Sequence, residues 1–198
     1  MSRRSDGTRE AILAAARERW FGAGFNGAGL EQIAEAAGVT RRTVYLHFSS
    51  KAALLLAVVR EVEVAAGLPE LVGRLALTRT GIEAIDALGE IQVQYLPKVY
   101  NSIRLMHSAR LEEPVANEVW LDRMAGRRTV FRMLAEGMAE RGELLPDLSV
   151  EDAVMIIWAL TSPHMYEYLV IDGGWSVEHF RSHLVRLLRR ALLRQPAT

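Results

Sequence analysis

The run Arg41-Arg42-Thr43-Val44-Tyr45-Leu46-His47-Phe48 concentrates the side chains of this chain best suited to touch a nucleic acid. On a helix turning about 100° per residue, Val44 and Phe48 fall on one side and define a buried direction. Leu46 stands opposite, with Arg42 and Thr43 beside it. An arginine there can donate two hydrogen bonds to a guanine edge. A threonine can bond a base edge or touch a thymine methyl, and a leucine can pack on a thymine methyl. Arg41 and Tyr45 lie on one flank and His47 on the other, where a helix seated in a major groove meets phosphates. Lys51 opens the next helix, in a first turn where the macrodipole disfavours a cation. A phosphate held between it and the free backbone N–H groups of that turn would account for its placement.

These residues need a frame, and the preceding segment supplies one. Leu30, Ile33, Ala34 and Ala37 recur at i, i+3, i+4 and i+7, a narrow face that lets a second helix approach closely. Gly38 follows, where a left-handed residue closes a helix. Val39 can plug the gap between two crossing helices, and Thr40 can cap the second one with its hydroxyl. Helix, short glycine-containing turn, helix is the supersecondary pattern of a DNA reader. Ahead of it, Thr8 to Gly22 reads as a helix whose apolar face is Leu13, Ala16, Trp20 and Phe21. Ser49 or Ser50 is placed to cap the helix that starts near Lys51.

The stretch from Gly24-Phe25 through Leu30-Glu31-Gln32-Ile33-Ala34-Glu35-Ala36-Ala37-Gly38-Val39-Thr40, then Thr43-Val44-Tyr45-Leu46-His47-Phe48-Ser49-Ser50-Lys51, resembles the N-terminal domain of the TetR family. The resemblance covers about residues 8–58. It implies an all-helical homodimer with recognition helices about one DNA turn apart, and a ligand-responsive C-terminal domain. It also implies that Thr40, Tyr45, His47 and Lys51 hold phosphates while Arg42, Thr43 and Leu46 face bases. Gly29 departs from the pattern, which usually has Ser or Thr before Leu30. Glycine is a tolerable cap but offers no hydroxyl for the phosphate contact that the family often makes at that point.

The chain has 198 residues, half of them hydrophobic and 24% charged, which suits a soluble globular protein. Net charge is zero, yet residues 1–60 carry nine basic and five acidic side chains, leaving +4 there and −4 on the rest. A basic N-terminal segment on an acidic body suits an anionic partner for that segment. There is no cysteine, which excludes disulfides and cysteine-ligated zinc. The polar start lacks the apolar stretch of a secretory signal. Apolar runs such as Ala52 to Val59 are shorter than a membrane span, so a cytoplasmic protein with no membrane partner is expected.

Helical periodicity continues to the C-terminus. Breaks fall near Gly67-Leu68-Pro69, Thr80-Gly81, Leu96-Pro97, Glu113-Pro114, 142–147 and Asp172-Gly173-Gly174. The expected architecture is all-α: a three-helix DNA-binding unit with the helix-turn-helix (8–50) and a larger helical effector-binding and dimerisation domain (51–195). Val154, Ile157, Trp158, Thr161, Met165 and Leu169 share one face. Val177, Phe180, Leu184, Leu187, Leu188 and Ala191 share another, after a cap at Ser176. Two such helices from each chain would form a four-helix dimer seam, with Trp158, Met165, Phe180, Leu184, Leu187 and Leu188 in it. Intramolecular core is the competing reading. Tyr95, Arg104, His107, Trp120, Met124 and Trp158 are candidates to line a pocket for a largely hydrophobic effector. Arg104 and His107, one turn apart, could hold a carboxylate on it, or pair with Glu112 or Glu113.

The rival classes have less behind them. His179 and His183 have the i, i+4 spacing of metal ligands, but Arg181 between them is unfavourable to a cation, and no HExxH is present. Gly22, Gly24, Gly27 and Gly29 lack the Lys-Ser/Thr ending of a phosphate loop. Nothing in the sequence brings a Ser/His/Asp triad together. No catalysis, metal or cofactor is expected. The reading that follows is a ligand-responsive regulator, a repressor on a palindromic operator. The alternative is an activator or architectural factor without small-molecule control.

Overall fold

Caps decide most of the helix boundaries. The computed structural model describes residues 3–194, helical almost throughout. The elements are α1 (Arg3–Ala23), a 3-10 turn (Phe25–Gly27), α2 (Leu30–Ala36), α3 (Arg41–His47), α4 (Lys51–Ala65), α5 (Leu68–Ala76), α6 (Gly81–Gln94), α7 (Leu96–Glu112), α8 (Pro114–Glu140), α9 (Val150–Leu160), α10 (Pro163–Tyr166), a π turn (Glu167–Asp172) and α11 (Val177–Leu192). The hydroxyls of Thr40, Thr80, Ser149 and Ser176 accept from N–H groups in the first turns of α3, α6, α9 and α11. Each satisfies a donor that the helix itself leaves open. Among the described residues there is no strand, only an isolated bridge between Leu144 and Leu193.

The chain forms two compact units. The first comprises residues up to Ala65 together with Val99–Arg123. α1 packs on α2 and α4, burying Ile12, Leu13, Ala16, Trp20, Ile33, Val44, Leu54, Leu55, Val58 and Val59 in one cluster. Leu105, Met106 and Ala109 of α7 and Ala116 of α8 join it. Phe21, expected on the inner face of α1, is exposed. The Trp20 indole N–H donates to the Ala28 carbonyl at 3.0 Å, and its ring lies 5.2 Å from Phe25, which fixes the approach to α2. Deeper in this unit, Arg123 of α8 pairs with Glu63 of α4, both largely buried.

The second unit comprises Ala66–Lys98 and the chain from Met124 onward. α11 packs on α6 and α9. Phe180, Leu184, Leu188 and Leu192 of α11 are buried, as are Ile85 and Leu88 of α6 and Val154 and Ile157 of α9. Gly89 lets α6 and α11 approach closely, since a Cβ there would stand 2.5 Å from Val185 Cγ2. Arg189 binds both oxygens of Asp86 at 2.6 Å, and Arg181 pairs with Glu90 at 2.7 Å. Compactness therefore cuts the chain elsewhere than between residues 50 and 51. α4 and a part of α7 and α8 group with the N-terminal helices.

Candidate nucleic-acid interface

The joint between α2 and α3 is closed by backbone geometry. Gly38 takes φ +67°, a conformation that costs other residues about 1 kcal/mol or more. Its N–H donates to Glu35 O at 3.0 Å, and the Val39 N–H to Ala34 O at 2.9 Å. Val39 packs half-buried against the core. Thr40 Oγ1 then accepts from the Thr43 N–H at 3.1 Å. At the head of α2, Gly29 has no side chain to offer. Gln32 compensates, its Oε1 accepting from the Gly29 N–H at 2.8 Å. This is half of a capping box, and the glutamine three residues past the cap was its signal in the sequence.

With Val44 and Phe48 buried, α3 turns its other side outward. Leu46 is 77% exposed, and Arg42 is exposed beside it. Arg41 donates to the Tyr45 hydroxyl at 3.4 Å, and its guanidinium lies 5.6 Å from that ring. This hydrogen bond raises the guanidinium pKa above its ordinary value. The two residues share the flank expected of them. His47 is half-buried, 6.4 Å from the Phe48 ring.

Two site residues are engaged differently from expectation. Thr43 is half-buried, and its hydroxyl is 2.9 Å from that of Thr40. Lys51 sits in the first turn of α4, but Ser50 caps the Ala53 N–H there at 3.0 Å, and the Lys51 ammonium rests 4.0 Å from the Phe25 ring centroid. Arg9 was not singled out from the sequence. Its guanidinium lies 5.3 Å from the Phe48 ring, adding a positive charge at the end of α3.

The residues proposed for a pocket divide between the units. Arg104, His107 and Trp120 belong to the first. Arg104 is exposed, 5.9 Å from the Tyr100 ring. His107 bonds Arg110 at 3.1 Å and meets Trp120 edge-on at 5.4 Å. Trp120 packs on the core cluster. Tyr95, Met124 and Trp158 belong to the second unit, each half-buried.

The expected dimer seam needs correction. Phe180, Leu184 and Leu188 point into their own unit, because the apolar stripe of α11 is consumed by α6 and α9. Tyr166 meets Phe180 edge-on at 5.8 Å inside it. Leu187 is exposed, and Trp158 and Met165 are half-buried. The His179 and His183 rings lie 4.3 Å apart with Trp175 against both. Among the described residues no group of three or more metal-ligating side chains assembles.

A short capped helix held by two buried residues, with an exposed arginine and leucine on its free side, defines a helix-turn-helix DNA reader on an all-helical chain. Residues 12–58 match the model of the bacterial regulatory proteins of the tetR family. YdeS of Bacillus subtilis, an HTH-type transcriptional regulator, is 27% identical over 84% of this chain and 81% of its own. The HTH-type transcriptional repressor AcnR of Corynebacterium glutamicum is 28% identical over 73% of this chain and 72% of its own. NalD of Pseudomonas aeruginosa, the secondary repressor of the MexAB-OprM efflux pump, superposes with a TM-score of 0.75 at 26% identity, covering 96% of this chain and 98% of its own. Residues 12–58 are thus similar to the DNA-binding region of tetR-family regulators, and over most of its length the chain is similar to HTH-type transcription regulators.

Proposed function

We propose that this regulator is a homodimeric repressor that reads a palindromic operator and releases it when a small organic effector binds. The observation that carries the DNA-reading assignment is Leu46, a large apolar side chain left 77% exposed on a helix whose inner face is already filled. Burial does not account for it, and contact with a thymine methyl does. Arg42 beside it is the guanine-reading residue, with Thr43 contributing its methyl group. Thr40, Arg41, Tyr45, His47 and Lys51 bracket the helix against phosphates.

Dimerisation rests on the second unit. The stretch Val150–Asp172 is apolar and long enough to cross a bilayer by length and composition, yet little of it is buried within the chain. The turn at Thr161-Ser162 divides it. Met155, Tyr168 and Ile171 are exposed there, with Leu187 on α11. A second copy of the chain covers these side chains, and a pair of readers about one DNA turn apart follows from it. Two solved structures of the same fold carry small molecules, one with stearoyl-CoA and one with choline. They support effector control as a mode this architecture permits.

The test is selection of bound fragments from a random DNA pool by the purified protein at near-physiological salt. The expected result is an enriched palindrome with half-sites about one turn apart. Salt-sensitive binding without enrichment would overturn the reading.

A further inference from the structure

Two neighbouring arginines of α8 converge on one indole. The guanidinium carbons of Arg127 and Arg128 each stand 4.9 Å from the Trp158 ring centroid. Arg127 is also 5.0 Å from Phe131, and Phe131 and Trp158 meet edge-on at 6.4 Å. Nη2 of Arg127 donates to Thr161, to its carbonyl at 2.5 Å and its hydroxyl at 2.8 Å. No carboxylate pairs with either arginine among the described residues. By contrast, Arg123, Arg132, Arg141, Arg181 and Arg189 each hold one.

A cation enclosed by aromatic rings gains from their faces, but burial strips its hydration and calls for a counter-charge. Burial pushes the Arg127 guanidinium down to about 10, against an opposing pull from Tyr95, so it stays charged at neutral pH. A purely structural role, closing the C-terminal end of α9 through the Thr161 carbonyl, occupies Nη2 alone. It leaves Nε and Nη1 open to a ligand, and it gives no reason for a second cation on the same ring. A quaternary ammonium does not fit either, because the two guanidinium groups at the ring would repel a further cation.

We propose that Arg127, enclosed by Trp158 and Phe131 with Arg128 at the rim, binds the carboxylate of a small organic acid whose apolar body lies against those rings. The site rests on the effector control proposed above and identifies the chemistry of the effector. An ionised acceptor makes the stronger hydrogen bonds to a guanidinium, and the rings beside it favour an apolar tail over a bare inorganic anion.

The experiment is calorimetric titration of the full chain with octanoate and phenylacetate, against octanamide, phenylacetamide, choline and inorganic phosphate. At least one carboxylate should bind saturably and at least tenfold more tightly than its amide, with choline and phosphate giving no saturable heat. Arg127→Gln should weaken that carboxylate at least tenfold while keeping the helical circular dichroism of the parent. Arg128→Gln should weaken it less. Should Arg127→Gln fail to fold, Trp158→Leu serves, since it removes the ring shared by both cations and should cost at least tenfold. Equal binding of acid and amide, unchanged affinity in the variants, or no binding by either carboxylate would overturn the site. Operator affinity measured alongside separates the two readings. Loss of carboxylate binding with specific DNA binding intact rejects the site only. Binding through Arg127 that leaves DNA affinity unchanged upholds the site and rejects effector control.

Discussion

In the proposed complex Arg42 and Lys51 would meet the same polyanion with different chemistries. A fork of N–H donors discriminates among base edges, whereas an ammonium responds to charge. Arg42→Ala should cost about 1–3 kcal/mol of operator binding and relax preference at one base pair. Lys51→Ala should weaken all sequences alike and reduce the salt slope by about one. Equilibrium binding to a selected operator and to a scrambled duplex, over a salt series, measures both. Identical behaviour of the two variants would remove the division of roles. A second pair of arginines makes an opposite contrast. Arg123→Met takes the guanidinium away from the buried Glu63 carboxylate and should cost about 3 kcal/mol of folding stability. Arg127→Met removes a half-buried cation that no carboxylate balances, so stability should hold or rise. Urea denaturation compares them, and matching losses would show that Arg127 is held for stability alone.

Among the elements, α3 was legible in the sequence because everything that fixes it is local. Gly38, the Thr40 cap and the Val44/Phe48 pair lie within eleven residues. Local rules also placed the starts of α5, α6, α7, α8 and α11. The partners of α11 were not legible. Its stripe of Phe180, Leu184 and Leu188 reads the same whether it faces α6 or a second chain, and only the fold decides. Gly89 was equally silent, since its meaning lies in Val185, far along the chain. Gly89→Ala tests that contact. Alanine favours a helix over glycine by about 1 kcal/mol, but a Cβ 2.5 Å from the stiff, branched Val185 overpacks the joint. Overpacking costs about 1–3 kcal/mol, so the variant should melt lower than the parent. Adding Val185→Ala should recover part of the loss. A rise in melting temperature on Gly89→Ala would show that the joint is loose.

For the whole molecule, the uneven charge and the uncovered apolar surface divide the labour. In the proposed complex the first sixty residues, with a net charge of +4, would meet the DNA. Met155→Glu with Ile171→Glu should shift the protein toward monomer in sedimentation at micromolar concentration and weaken operator binding in parallel. A parent that sediments as a clean monomer would remove the dimer. Arg127 escaped the sequence reading at this scale too. The candidates chosen to hold a carboxylate, Arg104 and His107, were neighbours along one helix, whereas Arg127 acquires Trp158 of α9 and Thr161 at its C-cap only on folding.

The division of α3 into a buried side and a free side has a further consequence. Seven residues are too few to form a stable helix unaided, so its shape is borrowed from Val44, Phe48 and the Thr40 cap. The exposed positions Arg42 and Leu46 contribute nothing to that loan. They can be exchanged without disturbing the fold, so if they set the address, as proposed, it can drift or be rewritten while the molecule that carries it stays the same.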